Sequence, residues 1–467
     1  MHSSNVAAVL LAAGGSTRLG RPKQLLEWEG RPLIVHVADT AWMAELHPLV
    51  VVVGSDGKEA AAALEDRSVQ ILHNYRWEEG MSTSLRVGLS AIASSEAAIF
   101  LQVDQPFITS HFLQALVERW RETGADIVVP TWKGRRGSPV LIGRDLFPEL
   151  ATISGDVGGR FLFETYADRL VTLAVEDPLL LADIDRPEDY ERLRAEQRAP
   201  HTAERLNAVR ALVCDMDGVL WRGDTPLPGL QEFFEFVREQ DLSYTLVTNN
   251  ASRTPEEYVE KLAGMGVETT TDHVLNSALA AADHLADLAD PGTPVYPIGG
   301  AGVHEALKAR GFRLSEEKAD YVVVGWDPDL TWKKIARATR FIYEGAGFIG
   351  TNPDRTFPSE EGPLPGAGAQ LAMLEAATGV HPTVAGKPEP ILYRQALARM
   401  DSKPEETLMI GDRLDTDILG ALRLGMPTVL VLSGIQKHED LPRSPIRPDL
   451  VFENLAVLVE AWRKENG

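Results

Sequence analysis

Short apolar runs recur along the chain, and most of them end abruptly in glycine or in an acidic or amide side chain. Val6–Leu11, Leu49–Val53 and Ala98–Val103 lie in the first half, and Val209–Cys214, Ser243–Val247 and Thr407–Ile410 in the second. Short, mostly apolar runs of this kind read as strands buried in a sheet. Each run gives way to a compact polar stretch: Gly14-Gly15, Gly54, Asp104-Gln105-Pro106, Asp215-Met216-Asp217-Gly218, Thr248-Asn249-Asn250 and Gly411-Asp412. Open α/β sheets place their sites beyond the carboxyl ends of the strands. Helix starts alternate with these runs. Thr254-Pro255-Glu256-Glu257 reads as an N-cap, a first-turn proline and a capping box, Ser402-Lys403-Pro404-Glu405 as a second capped start, and Gly80–Arg86 as a loop opening a helix. The pattern predicts an α/β chain.

With 467 residues the chain exceeds one ordinary core, and two or three domains are expected. A polar stretch with Pro200, about 194–208, divides it, and no repeat relates the halves. The net charge of −22 argues against a nucleic-acid or anionic-membrane partner, whose capture leans on basic patches. The single cysteine, Cys214, excludes an intrachain disulfide and fits a reducing compartment. Val6–Ala13 resembles the apolar core of a signal peptide, but no Lys or Arg precedes it and Gly14-Gly15 follow at once. No apolar run approaches the roughly 20 residues of a membrane span, and a cytoplasmic protein is expected. The eleven histidines show no metal-ligand spacing.

In the first half, Gly14 and Gly15 let backbone amides approach an anion, and Arg18 and Lys23 add the charge a triphosphate needs. The loop is neither G-x-G-x-x-G nor the P-loop sequence. Asp104 at a strand end is placed to hold Mg²⁺ against phosphates. Asp185 reads equally well as a second metal ligand or as a helix N-cap before Pro187. The hydroxyls of Ser82, Thr83 and Ser84, with Arg86, suit either a base and ribose or a helix cap. Gly134–Val140 and Ser154–Arg160 are glycine-rich turns with arginine, suited to a second anionic substrate. L-A-A-G-G-S-T-R-L-G-R-P-K, V-D-Q-P, G-M-S-T-S-L, R-G-S-P-V and D-I-D-R-P-E-D together resemble nucleotidyltransferases of the molybdenum cofactor cytidylyltransferase type. The resemblance covers residues 5 to about 194. It implies transfer of a nucleoside monophosphate from an NTP, CTP or GTP, to a phosphate acceptor such as molybdopterin. Gly14, Gly15, Arg18 and Lys23 would bind the triphosphate, and Asp104 with Asp185 would hold Mg²⁺. Arg186 stands where that family usually has threonine.

In the second half, D-x-D at a strand end, a threonine-asparagine pair, a lysine before a helix and a further acidic cluster suit phosphoryl transfer through a covalent intermediate. A carboxylate attacks phosphorus, a second acid protonates the leaving oxygen, and Mg²⁺ with a lysine offsets the negative charge. D-M-D-G-V-L-W-R-G, T-N-N, T-N-P-D, G-K-P and G-D-R-L-D-T-D-I resemble the haloacid dehalogenase superfamily in its NagD and p-nitrophenylphosphatase branch, over about 209–460. The resemblance implies Asp215 as nucleophile, Asp217 as acid/base, and Thr248, Asn249 and Lys387 on the phosphoryl group. Mg²⁺ would be held by Asp215, the Asp217 carbonyl and Asp412, with Asp417 in support. It also implies a cap at about 290–382 that includes Tyr321–Asp327.

The expected fold is therefore α/β, with two Rossmann-like three-layer αβα domains, the second carrying an inserted α/β cap. The divisions are 1–194, a linker at 195–208, and 209–467. The expected function is bifunctional: a nucleotidyltransferase joined to a phosphomonoester hydrolase. Its partners would be an NTP and phosphorylated small molecules, with no nucleic acid or membrane, and a homo-oligomer is compatible. The alternatives are a first half that binds nucleotide only to regulate the phosphatase, or one that acts on a sugar or polyol phosphate.

Overall fold

The computed structural model describes residues 5–16, 18–155, 162–197, 206–359 and 362–466. Most of the expected turn at Ser154–Arg160, and His201 in the expected linker, lie outside the described residues. The chain divides into two compact units, Met1–His201 and Thr202–Gly467.

The first unit is built on one mixed sheet. Its strands are β1 (Val6–Ala12), β2 (Leu49–Val53), β3 (Gln70–His73), β4 (Ala97–Gln102), β5 (Ile127–Trp132), β6 (Arg135–Arg136), β7 (Val140–Gly143) and β8 (Leu170–Ala174). The order is β8-β5-β7-β4-β1-β2-β3, with β6 paired to β5. Only β7 and β6 run against their neighbours. Alternate residues face opposite layers, as strand geometry requires. Val6, Ala8 and Leu10 of β1 pack with α1 (Leu33–Met43) and with Phe112, Leu113 and Leu116 of a helix at Ser110–Thr123. Ala7 and Val9 pack with α2 (Met81–Leu89) on the other side. Ala12 pairs with Val53 and Leu11 with Gln102. The glycine loop, Gly54 and Asp104 therefore leave one edge of the sheet together.

The second unit holds an all-parallel sheet of β9 (Ala211–Asp215), β10 (Ser243–Thr248), β11 (Val274–Asn276) and three later strands, β17 (Thr407–Gly411), β18 (Thr428–Val431) and β19 (Leu450–Phe452). The order is β11-β10-β9-β17-β18-β19. Leu212 and Cys214 face one helical layer, and Val213 the other. Between β11 and β17 is inserted a second parallel sheet: β12 (Pro294–Ile298), β13 (Arg313–Leu314), β14 (Tyr321–Val324), β15 (Gly347–Gly350) and β16 (Thr383–Val384), in the order β13-β12-β14-β15-β16. Its last strand pairs Thr383-Val384 with Ile349-Gly350, which carries the insertion past residue 382. At the expected linker, the helix Pro187–Gln197 runs into the stretch from one side. Leu206, 1% exposed, packs into the core of the second unit from the other. Each of these two segments is claimed by its own unit. Thr254 and Glu257 form the capping box at the helix Pro255–Gly264, whereas Pro404–Glu406 is a single 3-10 turn before β17. Among the described residues no helix is long and apolar enough to cross a membrane.

Gly229 opens the helix Leu230–Glu239 at φ +91°, and a Cβ there would stand 2.2 Å from the Ala456 nitrogen of the last helix. A left-handed residue and a backbone clash compound each other, so Gly229→Ala should destabilise the second unit by at least about 2 kcal/mol in urea unfolding.

Candidate active sites

In the second unit the register brings three strand ends to one place. Asp215 of β9 pairs with Val247, beside Thr248, and Cys214 pairs with Ile410, two residues before Asp412. The Lys387 ammonium bonds Asp215 Oδ1 and lies 2.7 Å from Asp417 Oδ1. Burial opposes charge on Lys387, but the Asp215 and Asp417 carboxylates outweigh it and raise its pKa. Burial pushes Asp215 well above the ordinary carboxylate range, against the pull of Lys387. Asp412 is pushed up to about 7 by burial and by the charge of Asp417.

Asp417 reaches the site through a π-helical turn, Leu414–Ile418. Its Oδ2 accepts the amides of Asp412 (3.2 Å) and Arg413 (3.1 Å), and the Tyr393 hydroxyl donates to its carbonyl (3.0 Å). Asp412 Oδ2 accepts the Ile435 amide at 2.8 Å. Asp217 is exposed, and its Oδ1 accepts the Trp221 indole N–H at 2.7 Å. Asn249 is committed to Lys387: its Oδ1 accepts the Lys387 amide (2.8 Å) and its Nδ2 donates to the Lys387 carbonyl (2.9 Å). The same Nδ2 donates to Asp354 Oδ2 (3.1 Å). Thr248 is buried, and its Oγ1 accepts the Asn250 amide at 3.1 Å. Carboxylate oxygens of Asp215, Asp412 and Asp417 lie within 4.8 Å of one another. Three close carboxylates with one bonded ammonium are a hard-oxygen set short of positive charge, which a divalent cation fits.

In the first unit Lys23 Nζ lies 2.9 Å from Asp104 Oδ2 and 2.6 Å from Asp185 Oδ1. Lys23 is raised above its ordinary pKa: burial opposes charge, and Asp104 and Asp185 overcome it. The Lys23 hydrogen bond, against a smaller effect of burial, holds Asp185 below the ordinary carboxylate range, and Arg18 contributes from nearby. Asp104 Oδ1 is buried with no hydrogen-bond partner among the described residues, an acceptor position that also fits a divalent cation. The loop backbone closes on Ser16, whose Oγ accepts the Lys23 amide (2.9 Å) and whose carbonyl accepts the Leu19 amide (3.0 Å). Gly14 has open space at its Cβ position, whereas a Cβ on Gly15 would stand 2.8 Å from the Trp77 ring. Arg18 is exposed.

The family model described as a MobA-like NTP transferase domain matches residues 8–170. A haloacid dehalogenase-like hydrolase model matches 212–313, and a second, HAD-hydrolase-like model matches 384–458. The acid sugar phosphatase of Staphylococcus saprophyticus is 36% identical over 256 residues, 55% of this chain and 98% of that protein. The chain belongs to the haloacid dehalogenase-like hydrolases. The 4-nitrophenylphosphatase of Thermotoga maritima superimposes with a TM-score of 0.54 at 35% identity, covering 56% of this chain and all of that one. The glycerol phosphate phosphatase of Mycobacterium tuberculosis, in complex with calcium, gives 0.50 at 35% identity, covering 54% of this chain and 76% of that one. A MobA-like domain thus precedes a haloacid dehalogenase-like phosphatase domain of the NagD and p-nitrophenylphosphatase type.

Of the residues singled out from sequence, the haloacid dehalogenase-like half assembles Asp215, Asp412, Asp417, Lys387 and Asn249 by direct contact or within one carboxylate cluster. Asp217 stands at the same loop but points to Trp221. The MobA-like half assembles Lys23, Asp104 and Asp185. The Asp185 carboxylate meets Lys23, while Asp189 Oδ2 accepts the Asp185 and Arg186 amides at 3.3 and 2.9 Å. Thr83 and Ser84, in the first turn of α2, are both bonded by Asn74 Nδ2, so two of the three hydroxyls serve the protein itself. Missed in the sequence were Asp354, which faces Asn249 and, at 3.7 Å, Arg413, and the Ser433-Gly434-Ile435 turn beneath Asp412. That turn follows the end of β18, so the strand-then-glycine signal was present. A Cβ on Gly434 would lie 1.9 Å from Asp412 Oδ2. Gly434→Ala should therefore displace Asp412 and weaken divalent-cation binding at this site by at least tenfold in calorimetric titration, with the far-UV circular dichroism unchanged.

Proposed function

We propose that the chain is a bifunctional enzyme, a Mg²⁺-dependent nucleotidyltransferase followed by a Mg²⁺-dependent phosphomonoester hydrolase. The observation that carries the second activity is the Lys387 ammonium bridging Asp215 and Asp417 at the end of β9. Asp215 attacks phosphorus, and the leaving oxygen takes a proton from Asp217. A water that gives its proton back to Asp217 then cleaves the aspartyl phosphate, releasing phosphate and free Asp215. Asp217 suits this exchange because it is exposed, and the Trp221 indole fixes its orientation. Lys387 holds positive charge beside the equatorial oxygens, and Asn249 holds Lys387. Mg²⁺ on Asp215, the Asp217 carbonyl and Asp412, with Asp417 supporting, would supply the charge that offsets repulsion between carboxylate and phosphate.

In the MobA-like half an acceptor phosphate oxygen would attack the α-phosphorus of an NTP, and pyrophosphate would leave. The amides around Gly14 and Gly15, with Arg18 and Lys23, suit the triphosphate, and Asp104 and Asp185 suit Mg²⁺. CTP with a molybdopterin-type acceptor is the reading from sequence resemblance. That relatives of the second half are an acid sugar phosphatase and a glycerol phosphate phosphatase favours sugar or polyol phosphates as substrates there. It also favours a second reading, in which the acceptor of the first half is of that class. A cytoplasmic location fits both readings.

Two substitutions separate the activities. Asp215→Asn should abolish phosphate release from p-nitrophenyl phosphate, leaving less than a hundredth of the rate, and should spare pyrophosphate release from an NTP with its acceptor. Asp104→Asn should do the reverse. If Asp104→Asn left pyrophosphate release intact, or if no NTP yielded pyrophosphate with molybdopterin, sugar or polyol phosphate acceptors, the first half would be a binding module instead.

The raised pKa of Asp412 sets a pH dependence for cation binding. Below about pH 7 its carboxyl is protonated and must lose that proton to a metal; above it the carboxylate is free. The apparent Mg²⁺ affinity of the second half should therefore fall by up to about tenfold per pH unit below 7 and level off above 8. Titration across pH 5.5–8.5, with Asp412→Asn as the control that removes the site, measures it.

A further inference from the structure

The two lysines that bridge carboxylates are held in different ways. Lys387 is fully embedded, its side chain 4% exposed, and Asn249 clasps both its amide and its carbonyl. It bonds Asp215 and Asp417 but leaves Asp412 to the Ile435 amide. Lys23 is anchored through its backbone by Ser16 Oγ and the Leu26 amide, while its side chain spans to the loop after β4 and to the segment before the helix Pro187–Gln197. Its ammonium takes one oxygen from each of Asp104 and Asp185, and the second Asp104 oxygen is buried without a partner among the described residues.

We propose that Lys23 is an exchangeable counter-charge, neutralising Asp104 and Asp185 until a triphosphate draws it away and a divalent cation replaces it. The inference deepens, and rests on, the nucleotidyltransferase reading. An ammonium and a divalent cation cannot share the same carboxylate oxygens, because each would sit within a few ångströms of the other's charge. The cation gains a buried oxygen that Lys23 leaves unused, since oxygen ligands are what it takes in number. Lys23 in turn needs a new anion, and the triphosphate offers one beside the loop that carries the lysine. Metal and nucleotide then assist each other's binding through one side chain, and by linkage the assistance is equal in both directions. In the second half Lys387 leaves Asp412 to the Ile435 amide, so one acid of that cluster needs no exchange to receive a cation.

The test counts Mn²⁺ bound to the full chain by electron paramagnetic resonance, without nucleotide. Wild type should bind one Mn²⁺, which Asp412→Asn removes. Lys23→Met should bind a second, at least tenfold more tightly than wild type binds any second ion, and adding Asp104→Asn should remove it. Lys23→Arg should restore wild-type stoichiometry, because its charge remains. The α,β-methylene analogues of CTP and GTP should bind wild type at least tenfold more tightly with Mn²⁺ than with EDTA. Two Mn²⁺ on wild type without nucleotide, or no gain in Lys23→Met, would overturn the exchange while leaving the transferase reading standing. Binding of neither analogue under any condition would overturn both. Should Lys23→Met not fold, the wild-type stoichiometry with and without analogue decides alone.

Discussion

Like charges gathered beside one edge of a sheet are the constraint on which both halves depend. A sheet whose parallel strands end together gathers side chains along one edge, and here carboxylates collect there, Asp185 arriving from the segment before the helix Pro187–Gln197. Asp215, Asp412 and Asp417 converge in a buried setting, and Asp104 and Asp185 in a half-buried one. Water screens such crowding poorly once it is buried, so each cluster is held by an ammonium set between two acids. Lys387 and Lys23 are therefore structural as well as chemical. Removing either would leave carboxylates that protonate or drive the loops apart.

The surrounding packing serves that arrangement. Tyr393 and the π-helical turn fix Asp417 from behind, while the Asp412 and Arg413 amides satisfy its outer oxygen. The inserted sheet contributes as well: Asn352 Nδ2 donates to the Asn249 carbonyl at 2.7 Å, and Asp354 accepts from the Asn249 side chain. The residue that clasps Lys387 is thus itself clasped by the cap.

Much of this was legible in the chain. The strand ends were, because an apolar run cut off by glycine, acid or amide is a local pattern with a local cause. The capping box at Thr254 was legible for the same reason. Partner choice across loops was not. Nothing near Lys23 in sequence says that its ammonium meets Asp104, 81 residues away, and Asp185, 162 away. Asp185 fits a helix start in sequence, and the fold sets its carboxylate on Lys23 while Asp189 reaches back to the Asp185 and Arg186 amides. The resemblance puts Asn249 on the phosphoryl group, and its side-chain amide also bonds the Lys387 backbone on both sides, which a motif cannot show. Asp354 stood inside a recognisable T-N-P-D segment, yet its contact with Arg413 depends on how cap and core meet.

The insertion of a whole sheet between β11 and β17 also fixes the order in which the second unit becomes itself. Asp215 and Lys387 are 172 residues apart, and β17 pairs directly against β9. On a ribosome β9, β10 and β11 emerge first as an incomplete sheet whose open edge is β9, the strand that ends in Asp215. Long-range pairing of this kind is slow, and unpaired edges invite association with other chains. The MobA-like half, finished before that edge is exposed, has by then already left the competition. A nascent chain halted before Thr407 would hold Asp215 at a bare sheet margin, without Asp412 and Asp417 beside it and adhesive as a surface.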